Sequence, residues 1–342
     1  MMMRLVQIAN GTERRVAIVI EPELVLLSDV RSTYILARRA LELQKDITAL
    51  AQSLGSDDVL RYDEVYSGKS SWRLLAPIDV PGDPQKMLVS GTGLTHLGSA
   101  RERQAMHATA GTVQEEIDEA KMTDSMRMFE WGRRNGRPAA GSIGIAPEWF
   151  YKGDGSVLVA PGGALTIPGH AEDGGEEAEV ATVYVIAANG TPHRIGMTTG
   201  NEFSDHVFER KNYLNLAGSK LRQCSLGPEL VIGQPFEDVR GHVRVLRGTE
   251  TVWEKDIRTG EENMAHSLAN MEHHHFKFAG HRQAGMVHVH FLGADALSFG
   301  SNVRLGEGDV AEVQFDGFGR ALRNSIRVEE ALTAPVQVAV MR

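Results

Sequence analysis

Residues 178–186 read AEVATVYVI. Alternate residues of a strand share a face. Ala181, Val183 and Val185 would form one face; Val180, Thr182, Tyr184 and Ile186 would form the other. A strand apolar on both faces must be covered on both sides, so the chain has to build layers around it. Its head carries two carboxylates, Glu177 and Glu179, which continue the Ala181 face. Like charges entering a covered strand repel and raise a pKa strongly, and a cation between them is the cheapest relief. Oxygen ligands without a thiolate suggest a hard ion: Mg²⁺, with Mn²⁺ or Ca²⁺ as alternatives. A solvated strand edge is the plainer reading of Glu-x-Glu, so a third oxygen ligand has to be found. Glu202 and Asp205 are the candidates, in TTGNEFSDHVFERKN, where the glycine and asparagine before Glu202 suggest a turn.

Composition narrows the partners. The 342 residues carry a formal net charge of −9 with no Lys/Arg-rich stripe, so no nucleic-acid role is expected. Positive charge for an anionic substrate must then be held locally. Cys224 is the single cysteine, so no intrachain disulfide can form and a reduced, cytoplasmic setting is expected. No run of 18 or more apolar residues and no secretory h-region are seen, so neither a membrane span nor a signal peptide is expected.

Along the chain, MRLVQIA, RRVAIVI and LVLLSD read as strands, and residues 33–55 as one helix with Gly55 as its cap. The Pro-rich stretch after Trp72 suggests a boundary near residue 80: a small α/β N-terminal domain (1–80) before a larger domain (81–342). Residues 86–106 read as strand, glycine turn and helix start; 114–138 and 263–278 read as helices. From about residue 145 strands dominate, so the expected class is α+β, mainly β.

The order PEWFYKG, EEAEVATVYVIA, TTGNEFSDHVFERKN, GSKLRQCSLGPELVIG and GEGDVAEVQFDGFGRALRNSI resembles the fumarylacetoacetate hydrolase superfamily over roughly residues 86–328. The resemblance implies a mixed β-roll around one Mg²⁺, and a homodimer. It implies Glu177, Glu179 and Glu202 as ligands, Glu202 standing where the family usually has Asp. It also implies two functional lysines, Lys152 in PEWFYK and Lys220 in GSKLRQCSLGP. A 2-oxo acid substrate would chelate the cation, and an ammonium would offset its remaining charge. A desolvated lysine beside a cation can also exchange protons.

Two departures from the family pattern matter. In GTGLTHLGSARE, Ser99 stands where family hydrolases carry the histidine that activates water, while its partner glutamate survives as Glu102; His96 is not at that position. In AGMVHVHFLGAD, Met286, His288 and His290 share a face. His290 is expected to line the substrate pocket; Zn²⁺ binding by His-x-His and a plain core or surface histidine are the alternatives. His273–His275 reads as a surface run. The departures resemble the 2-keto-3-deoxy sugar-acid dehydratase branch. That implies a hydro-lyase converting a 2-keto-3-deoxypentonate to 2,5-dioxopentanoate, with Lys152, Lys220 or Glu102 as base and Ser99 and His290 at the substrate. A Mg²⁺-dependent C–C hydrolase of an acylpyruvate or 2,4-diketo acid is the second reading. A non-catalytic sugar-acid binding protein is the third.

Overall fold

The computed structural model describes residues 2–101 and 122–341. The thirteen-stranded mixed sheet has a ten-strand path: Gly55–Arg61, Glu23–Leu27, Glu13–Ile20, Met3–Asn10, Leu230–Ile232, Pro192–Asn201, Ala178–Ile186, Val287–Phe291, Met87–Gly91 and Phe150–Asp154. A second sheet of five strands runs Glu250–Thr259, Val239–Arg247, Val310–Phe315, Leu322–Val328 and Ala164–Ile167. The protein is α+β and mainly β, as its strand-rich sequence implies.

The strand Ala178–Ile186 is buried at every position. Ala181, Val183 and Val185 pack with Val287, Val289 and Phe291 of the neighbouring strand and with Leu36, Ala37 and Ala40 of the helix Thr33–Glu42. Ala178 and Val180 pack on the other side with Val243, Val313 and Phe315 of the second sheet. Two covered faces explain the double apolar pattern. Each fully buried valine contributes about 1.5–3 kcal/mol relative to exposure.

The N-terminal strands join this architecture through Met3–Asn10, which pairs antiparallel with Leu230–Ile232. Residues before 80 have a core of their own around Val6, Ile8, Leu24 and Tyr62, and Met3, Leu5 and Leu27 belong to the main core.

The helix expected over 33–55 is two helices, Thr33–Glu42 and Ile47–Ser53. Gln44 turns the chain at φ 52°, and Asp46 caps the second helix by accepting from the N–H groups of Thr48 and Ala49. Gly55 begins a strand instead of capping a helix. The expected helix over 263–278 is Leu268–Phe276, started by Ser267. Of the helix expected over 114–138, Asp124–Asn135 is formed, and residues 102–121 lie outside the described residues. Among the described residues no helix is long and apolar enough to cross a membrane.

Candidate metal centre

Glu177 and Glu179 project from the head of the central strand on the Ala181 face. The partner strand Pro192–Asn201 pairs Ala178 with Asn201, which carries the chain directly to Glu202. The Glu202 N–H donates to the Glu177 carbonyl at 2.9 Å, so the third carboxylate arrives beside the first two. Each of the three offers an oxygen, all within 4.8 Å of one another, and all three side chains are buried. Asp205 is not part of this group. It caps the helix His206–Lys211 by accepting from the N–H of Phe208 at 2.9 Å, and it pairs with Arg222 at 3.2 Å.

Both lysines reach the triad. In the strand Phe150–Asp154, Phe150 and Lys152 share the inward face while Tyr151 points outward. Lys152 Nζ lies 2.5 Å from Glu202 Oε1 and donates to the Phe203 carbonyl. Lys220, at the end of the short helix Leu216–Lys220, bridges Glu177 Oε1 and Glu202 Oε2 at 2.5 Å each. Its ammonium sits 4.8 Å from the Phe150 ring centroid. Burial pushes the Lys152 pKa down, against the pull of Glu202.

The carboxylates differ sharply. Burial acts to raise the pKa of Glu177, but Lys220 and His206 override it and hold the group well below the usual range. Burial and the charges of Glu177 and Glu202 push Glu179 well above it. Glu179 accepts the Gly293 N–H at 2.7 Å, while the lysines pair with the other two carboxylates. Lys220's charge only partly offsets this push on Glu179, and a divalent cation shared by the three oxygens would offset it further. An all-oxygen, buried, like-charged donor set of this kind fits a hard ion.

Gly293 sits at φ +96°, and a Cβ there would lie 2.0 Å from Thr95 Oγ1. Only glycine lets this backbone approach Glu179. Glu176, next in the chain, accepts from Ser298 N at 2.7 Å and Ser298 Oγ at 2.6 Å. The segment 293–298 is thus tied to the strand head at both ends. A small cleft opens over the triad, lined by Gly93, Leu94, Ser99, Glu177, Glu179, Lys220, Gly293, Ala294 and Leu297. Ser99 is half-buried and donates to the His96 carbonyl at 3.3 Å. Glu102 lies outside the described residues.

Two histidine expectations are corrected, those for His290 and His275. His290 pairs across the sheet with Thr182, so it shares the Thr182 face and points away from Glu179. Its ring nitrogens are engaged by Ser90 Oγ at 2.9 Å and Thr92 Oγ1 at 2.6 Å, so it does not reach the cleft. His275 is not on the surface: it is buried, and its Nε2 lies 2.9 Å from His288 Nδ1. His96 is buried between Thr95 and Thr259, and burial pushes its pKa down to about 4 against Asp295.

His206 is the residue that sequence reasoning missed. Its Nε2 lies 3.0 Å from Glu177 Oε1, and the ring is buried. Burial opposes protonation, yet the bond to Glu177 and the charges of Glu177 and Glu209 raise its pKa. The only signal in the sequence was its place four residues after Glu202, in NEFSDH.

No family model matches the chain. A probable 2-keto-3-deoxyxylonate dehydratase of Haloferax volcanii is 28% identical over 185 residues, 53% of this chain. The match spans only about three fifths of that relative's own length. Solved structures of 2-keto-3-deoxyarabinonate dehydratase superpose over 96% of this chain and 100% of theirs, with a TM-score of 0.69 at 17% identity. One such structure, with a TM-score of 0.68 at 16% identity and the same coverage, is a complex with magnesium and 2,5-dioxopentanoate. A fumarylacetoacetate hydrolase from Exiguobacterium antarcticum has a TM-score of 0.58 at 17% identity, with the same coverage of both chains. With the carboxylate triad set into a β-roll that these enzymes share from end to end, the chain has the fumarylacetoacetate hydrolase fold.

Proposed function

We propose that the protein is a metal-dependent hydro-lyase acting on a 2-keto-3-deoxy sugar acid, with a 2-keto-3-deoxypentonate as substrate and 2,5-dioxopentanoate as product. The observation that carries this reading is the buried Glu177/Glu179/Glu202 triad, two of whose members, Glu177 and Glu179, line one cleft with Lys220 and Ser99. The sugar-acid dehydratases among the similar proteins support the substrate class.

Glu177, Glu179 and Glu202 would hold Mg²⁺. When bound, the ion would polarise the C2 carbonyl and acidify the C3 protons. Lys220 faces the cleft and, were a bound cation to take over its charge on Glu177 and Glu202 so that it sheds its own proton, would be the group placed to take a C3 proton. Lys152 lies behind it, holding Glu202. Loss of the C4 hydroxyl with that proton releases water and leaves a C3–C4 double bond. Moving a hydrogen from C5 to C3 gives the C4–C5 enol, and moving its hydroxyl proton to C4 then gives the C5 aldehyde, with all carbons retained. Glu102 or a water held by Ser99 would protonate the departing hydroxyl. No nucleophilic water is needed, which suits a serine where hydrolases place a histidine. A homodimer and a cytoplasmic location belong to the same proposal.

Product analysis by NMR tests it. Protein and Mg²⁺ are added to a 2-keto-3-deoxypentonate, and to an acylpyruvate in a parallel tube. Loss of the C4 hydroxyl with the carbon chain intact is expected in the first. Pyruvate from the second, with the sugar acid untouched, would replace the dehydratase by a C–C hydrolase. On the dehydratase reading, Ser99→His is expected to introduce slow cleavage of the acylpyruvate that the wild type lacks.

A further inference from the structure

We infer that His206 is a positioning residue that fixes Glu177 as a metal ligand. The inference rests on the metal centre proposed above. Glu177 Oε1 has two donors, Lys220 Nζ at 2.5 Å and His206 Nε2 at 3.0 Å. The first is a flexible ammonium that also serves Glu202. It supplies the charge that a divalent cation would supply, so its hold on Glu177 weakens when the ion is present. The second donor is rigid.

The His206 ring cannot swing away. Gly175 lies against it, where an added Cβ would come within 2.2 Å of Nδ1. Phe299 packs on it with ring centroids 5.3 Å apart. Its backbone starts the helix His206–Lys211, whose cap Asp205 is held by Phe208 N, Glu172 N and Arg222. Gly175 and Ser204 form a two-way backbone bridge that locks the same corner, at 2.9 and 3.0 Å.

Nδ1 is buried without a hydrogen-bond partner among the described residues, so Nε2 is the ring's one bonded polar atom, and it is spent on Glu177. Hydrogen-bond partners that orient metal ligands typically contribute 10–100-fold in metal affinity.

The test is Mg²⁺ binding by calorimetry, with Mn²⁺ binding by EPR as a second readout, on the wild type, Glu179→Gln, His206→Leu and His206→Gln. Thermal melts check folding. The wild type is expected to bind one ion and Glu179→Gln none. His206→Leu is expected to bind about 10–100-fold more weakly. His206→Gln, whose amide can still donate to Glu177, is expected to recover most of that loss. Should His206→Leu not fold, His206→Asn, one methylene too short to reach, replaces it. Wild-type affinity in the leucine or asparagine variant would overturn the role. So would a glutamine variant as weak as the leucine one, because packing alone would then explain the loss. A wild type that binds no ion would overturn the metal centre itself, and this inference with it.

Discussion

Lys220→Met removes an ammonium from a site with three buried carboxylates. Lys220 is 1% exposed and bridges Glu177 and Glu202 at 2.5 Å each. Its loss leaves Lys152 on Glu202 alone, and Glu177 and Glu179 then face each other with no ammonium on either. Methionine fills most of the volume, so the effect is electrostatic rather than a cavity. Breaking a buried ion pair by removing one partner costs about 3–5 kcal/mol. Unfolding entropy of about 2.1 cal/mol/K per residue gives roughly 0.7 kcal/mol/K for this chain, so Tm should fall by about 4–7 °C in EDTA. A divalent cation bound by the triad replaces the lost charge. Mg²⁺ should therefore raise Tm more in Lys220→Met than in the wild type, narrowing the gap between them. Scanning calorimetry of both proteins, with Mg²⁺ and with EDTA, measures the four values. An unchanged Tm in EDTA would refute the charge argument. A Mg²⁺ shift no larger than that of the wild type would refute the idea that the ion and the lysine share one role.

Glu179→Gln should abolish metal-dependent turnover and the Mg²⁺-induced rise in Tm while the protein stays folded by circular dichroism; a fully active variant would remove Glu179 from the site. Gly293→Ala should destabilise by about 2 kcal/mol or more in urea unfolding, because φ +96° is strained for alanine and its Cβ would meet Thr95; wild-type stability would show that the loop relaxes freely. Burial pushes His96 to about 4 and both His288 and His290 to about 3, from a usual 6.5. These rings are neutral in the fold, and the unfolded chain takes up their protons first. Their stabilisation is complete above pH 6.5 and is lost as pH falls from there toward 4, by about 1.4 kcal/mol per pH unit for each ring. Urea midpoints at pH 7.5, 6.5 and 5.5 check this, and a flat profile would mean that the rings are not buried in solution.

Much of the site is local and was legible in the chain. Strict alternation in AEVATVYVI is enough to require a strand covered on both faces, and it places Glu177 and Glu179 side by side. PEWFYK puts Phe150 and Lys152 on one face by the same rule. What lies beyond a single element was not legible. In the sequence only the family resemblance favours Glu202 over Asp205, and the cross-strand register of Ala178 with Asn201 decides between them on physical grounds. The alternation that grouped His288 with His290 was right. Their face was invisible until the register of His290 with Thr182 turned both away from the carboxylates. His275 looked exposed because helical neighbours point in different directions, and only packing shows which direction is inside. His206 lies on another element from Glu177, 29 residues away, and a hydrogen bond between them leaves no pattern in either segment. Periodicity is a property of one element and survives in the sequence. Which atoms of two elements meet depends on register and packing, and those exist only once the sheets have assembled.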